Sequence, residues 1–300
     1  LSYLKNILQG NNLVNKKNLA KIAMKDVAIA ISEDLGTGDI TTSLLGKDKN
    51  KLSIAFVKSN EDAILCGKIW FNSTFKYIQK KYGGTLKITW LKNDGDKIKK
   101  GEKICRIEAP LRTLLISERV ALNFIQFLSG ISSKTKLYSE KIKNKKIKLL
   151  DTRKTIPGLR VSQKYAVTCG NGFNHRHGLY DQILIKENHI TNKSQPYEDF
   201  LKKINKNTSF RKISIEVETL KDLRILVNYK PKNILLDNFS LPNIKKATKI
   251  INKKITSIEV SGNISLKNIE KYSHLNIDFI SIGDLTKNIE SIDFSMLIVK

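Results

Sequence analysis

Six short apolar runs in the second half of the chain constrain its fold more than any other feature. Ile147–Asp151 (IKLLD) leads into Thr152, Arg153 and Lys154, Ile183–Lys186 (ILIK) ends on a lysine, and Ile213–Glu218 (ISIEVE) ends on a glutamate. Ile234–Asp237 (ILLD) ends on an aspartate, Ile258–Ser261 (IEVS) opens into Gly262 and Asn263, and Asp278–Ile282 (DFISI) opens into Gly283. Runs this short, rich in β-branched residues and leucine and separated by helical patterns, predict buried parallel strands in βα units. In a barrel of such units the reactive side chains sit at the C-terminal strand ends, where the loops converge on one mouth. Cations, carboxylates and Ser/Gly turns are therefore expected to face a single site, which is the layout of an enzyme.

Length and composition bound the rest. The 300 residues, 40% of them hydrophobic, leave room for two domains with a real core. No apolar stretch approaches the ~18 residues of a membrane span, and LSYLKNILQG lacks the unbroken apolar segment of a signal peptide. A membrane partner and export are therefore not expected. Cys66, Cys105 and Cys169 form no CxxC pair, which points to reduced thiols in a cytoplasm. The net charge of +26 is what a nucleic-acid binder would carry. Of the 54 basic residues only eight are arginine, however, and the lysines are scattered with Asn and Ile (KIKNKKIK, KKINKN). That usage predicts solvated outer faces and no specific nucleic-acid partner. A P-loop is excluded because no GxxxxGK[ST] occurs.

Along the chain, residues 1 to about 30 carry a helical pattern and Asp34–Thr42 (DLGTGDITT) reads as a glycine-punctuated loop. Alternating, strand-like sequence follows from Lys51 to about Arg112, with a helix expected around Trp70–Lys81. Leu91–Ala109 carries two glycine turns and resembles a lipoyl-carrier hairpin without its modifiable lysine, so it reads as scaffold. Pro110 is expected to break the sheet, and Leu114–Tyr138 to form a long amphipathic helix leading to the barrel.

Four further strings complete the picture: SERVALNFIQFLSGISS at Ser117–Ser133, DTRKTIPGLR at Asp151–Arg160, CGNGFNHRHGLYDQILIKENHI at Cys169–Ile190, and the series EVE, LLDN, VSGN and ISIG. Together with EDLGTGDITT at Glu33–Thr42 they closely resemble the quinolinate phosphoribosyltransferase family, in order, from about residue 25 to 297. The resemblance implies an α/β protein with an N-terminal α/β sandwich and an open, TIM-like α/β barrel. The sandwich is expected over 1–113, joined by the C-terminal segment 286–300, and the barrel over 114–285. The implied reaction joins quinolinate to phosphoribosyl pyrophosphate (PRPP) with Mg²⁺, releasing nicotinate mononucleotide, CO₂ and pyrophosphate on the de novo route to NAD.

Quinolinate carries two adjacent carboxylates, so its pocket needs several cations, and Arg is the side chain that grips a carboxylate with two prongs. Arg153, His175, Arg176 and Lys186 fit that demand, each within a matching string. Arg119, in SER, would alone read as an exposed helix arginine. The resemblance implies that it reaches the quinolinate pocket of a neighbouring subunit, hence a homodimer with shared sites, with a hexamer as the larger assembly open to it. Glu218 and Asp237 end successive strands and could hold Mg²⁺ through water and substrate phosphate. The family pattern sets them against the ribose and metal–pyrophosphate, with Lys154 meeting the pyrophosphate, so Lys154, Lys186, Glu218 and Asp237 are the expected catalytic set. Ser261, Gly262 and Asn263, and Ser281, Ile282 and Gly283, end the last two strands in loops expected to open helices and cradle a phosphate with backbone N–H groups. His177 and His189 read as structural, since Arg176 between two histidines would repel a metal cation.

Four departures from the family pattern stand out. Asn171 interrupts a glycine run and is expected in a left-handed conformation, which Asn tolerates best after Gly. Asp284 stands where a small residue is usual, and would repel phosphate if it pointed inward. Asn288 replaces a histidine, and the tail SMLIV lacks an arginine. The alternative reading is a paralogous phosphoribosyltransferase-like protein acting on another aromatic carboxylate, and retention of Arg119, Arg153, His175 and Arg176 together argues against it.

Overall fold

The computed structural model describes residues 16–144, 146–189 and 196–299. Helix α1 (Lys16–Leu35) carries the expected N-terminal helical pattern, whose first fifteen residues lie outside the described ones. The loop expected over Asp34–Thr42 is shorter than its glycines suggest. Helix α1 runs to Leu35, and a helical turn α2 (Ile40–Ser43) starts behind Asp39, whose carboxylate accepts the Thr42 N–H at 2.9 Å and caps the turn. By their contacts the described residues fall into two compact units: Leu137–Lys154 with Gly172–Asp284, and 16–136 with Thr155–Asn171 and 285–299.

The second unit is built on an antiparallel sheet. After β1 (Leu52–Ser59) and β2 (Ala63–Ile64) come α3 (Lys68–Tyr82), β3 (Lys87–Trp90), β4 (Lys97–Ile98), β5 (Lys103–Pro110) and the long helix α4 (Leu111–Lys141). The C-terminal strand β12 (Phe294–Val299) pairs with β1, giving the order β12-β1-β5-β3, while β2 and β4 pair separately. Gly95 and Gly101 make the two turns that flank β4, at φ 94° and 81°, where only glycine is free of strain. Pro110 ends the strand as expected: it pairs with Leu52 as the last residue of β5, and the chain enters α4 at Leu111.

Helix α4 buries one face against this sheet: Leu114, Ala121, Leu122 and Ile125 pack in one cluster with Val57, Phe71, Phe75, Ile107 and Phe294. It is, contrary to the sequence expectation, long and apolar enough to cross a membrane, but 67% of its most apolar window is buried inside the protein. A core helix has that pattern. Helix α5 (Arg160–Cys169) belongs to the same unit: its Tyr165 hydroxyl donates to Asp94 at 2.8 Å, and its ring lies 5.6 Å from that of Trp70. Gly170 follows, so close to α4 that a Cβ would sit 2.6 Å from Thr135 Cβ. Close packing therefore requires that glycine. Asn171 next to it takes the left-handed conformation (φ 66°) expected of it.

The first unit holds the parallel strands. They are β6 (Lys148–Leu150), β7 (Ile183–Ile185), β8 (Ile213–Val217), β9 (Asn233–Asp237), β10 (Ser257–Ser261) and β11 (Phe279–Ser281). All six predicted runs are strands. Their order, β6-β11-β10-β9-β8-β7, is the chain order bent round so that β6 meets β11, and all pairings are parallel. Between β6 and β7 the barrel stays open, with Leu150 bridging to Phe173 there. The crossovers carry α6 (Tyr197–Asn207), α7 (Leu220–Leu226) and α8 (Leu241–Ile250). Thr219 and Ser240 start the last two by accepting the N–H of Asp222 and Asn243.

Candidate active site

Parallel strands send all their C-terminal ends to one edge, so Asp151, Lys186, Glu218, Asp237, Ser261 and Ser281 share the mouth of the barrel. At the end of β6, Asp151 is fully buried and its carboxylate accepts the His175 N–H at 2.8 Å and the Asn174 side-chain amide at 2.6 Å. With the Phe173 N–H bonded to Leu149 O (2.8 Å), this zips the NHR segment onto β6. Arg153 and Lys154 follow at the exposed rim. Arg176 is buried, and one guanidinium nitrogen donates to Gln182 O at 3.1 Å. Burial and the positive charge of Arg153 pull its pKa down, against the opposing pull of Asp181. Two guanidiniums repelling each other at a strand-end mouth make a place for an anion.

Lys186, just past β7, reaches Glu216 with 2.5 Å between Nζ and Oε2. Its side chain is 39% exposed and that of Glu216 only 3%. Burial first, then a hydrogen bond with Glu187 and the nearby Asp237, push the Glu216 carboxyl up to about 7, although Lys186 pulls the other way. Glu218, by contrast, lies one residue beyond β8 and is exposed. Asp237 ends β9, accepting the Ser261 hydroxyl on Oδ1 and the Asn238 amide on Oδ2.

The two loops expected to hold phosphate are tightly built; the first leads into a turn and the second, as expected, into a helix, though one of a single turn. Gly262 (φ 91°) and Asn263 (φ 51°) turn the chain against Asn238, whose side-chain oxygen accepts from Asn263 Nδ2 at 3.3 Å. There is no room for a Cβ at Gly262, which abuts the Asn238 side chain. A turn follows instead of a helix, because Asn268 Oδ1 takes the Ser265 N–H at 2.8 Å, a local bond that competes with helix formation. The Ile282 N–H is bonded to Leu150 O (2.9 Å), and Gly283 lies against Lys154, whose Cδ would be 2.8 Å from an added Cβ. Beyond it, α9 (Asp284–Lys287) is a single turn. Asp284 accepts the Tyr138 hydroxyl at 2.8 Å, which occupies the carboxylate that the sequence left as a source of repulsion. The Ser281 hydroxyl also has a protein partner, Glu259.

His189 serves the backbone, its Nδ1 accepting the Lys186 N–H at 3.0 Å, while at His177 it is the backbone N–H that donates to the Asp181 carboxylate, at 2.6 Å. Among the described residues no group of three or more His, Cys, Asp or Glu is arranged to hold a metal. A hard cation that keeps its waters and rides on substrate phosphate asks for no such cage, and the carboxylates of Glu218 and Asp237 fit that mode. Arg119 belongs to the other unit, exposed on α4.

Residues 39–129 match the family description "Quinolinate phosphoribosyl transferase, N-terminal domain" and residues 131–297 its C-terminal domain. The chain belongs to the quinolinate phosphoribosyltransferase family. It is 38% identical to a probable nicotinate-nucleotide pyrophosphorylase [carboxylating] of Methanocaldococcus jannaschii, over 94% of this chain and 99% of that one. With the Bacillus subtilis counterpart it shares 36% identity over 88% and 89% of the two chains. The solved nicotinate-nucleotide pyrophosphorylase of Francisella tularensis superposes with a TM-score of 0.83 at 39% identity, covering 93% of this chain and 97% of that one. As a member of this family the protein is a decarboxylating pentosyltransferase.

Two carboxylates of this transferase escaped the sequence reading, Glu216 and Glu259. The signal was available. Side chains alternate along a strand, so Glu216 shares a face with Glu218, and Glu259 shares one with Ser261.

Proposed function

We propose that this chain transfers phosphoribosyl from PRPP to quinolinate with loss of CO₂, forming nicotinate mononucleotide and pyrophosphate, at the mouth of the parallel barrel. The observation that carries this reading is that Arg176 feels the charge of Arg153 while Lys186 follows β7 at the same mouth of the barrel, in a chain of this family. One carboxylate would not need so many cations. A paralogous reaction on another aromatic carboxylate remains the second reading, and the same cation set argues against it.

Arg153 and Arg176 grip the quinolinate carboxylates, Lys186 approaches from β7, and His175 stands behind them, holding the Arg176 amide (2.7 Å to Nδ1). Lys154 and the loops Ser261-Gly262-Asn263 and Ser281-Ile282-Gly283 meet the phosphates, the serines through the carboxylates they brace and the loops through the backbone N–H groups of Gly262, Asn263 and Gly283, since that of Ile282 is bonded to Leu150 O. Glu218 and Asp237 would hold Mg²⁺ through water and the substrate pyrophosphate, and the ion supplies positive charge to the departing group when bound. As the pyrophosphate leaves C1′, Lys154 and Lys186 stabilise its charge, while Glu216 and Asp237 face the cationic sugar. The pyridine nitrogen, held in line by the arginines, attacks C1′, and positioning supplies much of the rate. The ring nitrogen is then a fixed cation beside the 2-carboxylate. Loss of CO₂ leaves an electron pair on C2 that this charge stabilises until a proton from a lysine or water forms the C–H bond of the product, so no separate electron sink is needed. The working form is a cytoplasmic homodimer in which Arg119 completes a neighbour's pocket.

Release of labelled CO₂ from quinolinate carboxyl-labelled at position 2 tests this. Release that requires both PRPP and Mg²⁺, with no product from nicotinate, is the expected result. No release by a folded protein would refute the assignment and favour the paralogue.

A further inference from the structure

Glu259 sits in the middle of β10 with no exposed surface, and its register neighbours are Leu235 and Phe279. A carboxylate at that depth is costly, and an apolar side chain of similar volume would stabilise the barrel at least as well. Its contacts lead in two directions. Oε2 accepts from Asn233 Nδ2 at 2.8 Å, while Oε1 accepts the Ser281 hydroxyl and lies 3.4 Å from His175 Nε2. The other ring nitrogen of His175 accepts the Arg176 N–H at 2.7 Å, which assigns the ring proton to Nε2, facing Glu259. One path from Glu259 therefore ends at an arginine of the aromatic-acid pocket. The other ends at Ser281, two residues before the glycine that packs on Lys154. Burial pushes the Glu259 carboxyl up, but His175, Ser281 and Asn233 together outweigh it and keep the group ionised.

We propose that Glu259 is a positioning residue whose charge ties His175 to Ser281 and so couples the aromatic-acid pocket to the phosphate loop. This rests on the functional reading above. Neither substrate need touch Glu259. Its effect is to make the two half-sites rigid together.

The isosteric Glu259→Gln variant keeps the volume and removes the charge. It is expected to raise KM for quinolinate and for PRPP by about tenfold each, the effect of one lost charge-assisted contact, with kcat changed far less. A variant with an altered Tm but both KM values unchanged overturns the proposal. Ser281→Ala gives a second test should the Gln variant not fold. It is expected to raise KM for quinolinate as well as PRPP, and an unchanged quinolinate KM overturns the coupling. Wild-type protein without quinolinate turnover would sink the functional reading alone. The His175–Glu259 pair is then read by ¹⁵N NMR of the histidine ring, where an Nε2 resonance unmoved in Glu259→Gln overturns it and a shifted one supports it.

Discussion

Glu216→Gln is expected to make the protein more stable above neutral pH and less active. Folded Glu216 holds its proton up to about 7, against an ordinary value of 4.5. Between those limits the folded state binds more protons than the unfolded chain, so this residue makes stability fall as pH rises, and its full cost is present above about pH 7. A displacement of about 2.5 pH units corresponds to about 3 kcal/mol, and with water reaching the mouth of the site about 1–2 kcal/mol is the better expectation. Glutamine imitates the protonated form, so it removes the cost. Urea denaturation at pH 5 and pH 8 reads the difference: the two proteins should nearly coincide at pH 5, and the variant should gain about 1–2 kcal/mol at pH 8. An equal offset at both pH values, or a variant that loses ground as pH rises, refutes the reasoning. The same substitution takes the charge away from Lys186, a contact whose loss should lower kcat/KM by about 10- to 100-fold. Stability gained where activity is lost marks a group kept for function.

The remaining predictions concern the phosphate side and the assembly. Gly283→Ala places a methyl group 2.8 Å from Lys154 Cδ with no backbone strain, so the flexible lysine moves, and the variant should fold normally while its KM for PRPP rises and that for quinolinate holds. A loss of both affinities, read by initial-rate kinetics, would show that the loop rather than Lys154 had shifted. Arg119→Ala and Lys186→Ala proteins, each nearly inactive, should recover about a quarter of wild-type activity when unfolded and refolded together, because half the dimers then carry one intact shared site. Absence of rescue in demonstrated mixed dimers would exclude the shared site.

How far the site could be read from the sequence follows from where its signals lie. The strands were legible because a run such as ISIEV is buried on both faces and needs no partner to be recognised, and all six runs became strands. Asn171 was legible for a similar reason, since a left-handed residue in a glycine-rich turn has few candidates. Helix ends were less so: α4 extends through Leu111 and Lys141 because Pro110 ends a strand on one side and no breaker follows on the other. The loop around Gly36 and Gly38 shrank because Asp39 caps a helical turn from three residues away, a local signal that the flanking glycines outweighed in the sequence.

The interior carboxylates show most clearly what a strand-end rule leaves out. Reading only the last residue of each run selects Glu218 and Ser261, yet the pleat places Glu216 and Glu259 one layer deeper on the same faces, each in register with Leu235 of β9. A serine at the rim then has an alternative to the substrate. Ser261 donates to Asp237 and Ser281 to Glu259, so both hydroxyls fix a carboxylate and leave the phosphate to backbone groups. Ser281 is thus set by an ion held below it, and Ser261 by the carboxylate beside it. A charge buried at that depth raises the cost of folding, and it is retained where it fixes the groups above it in one arrangement.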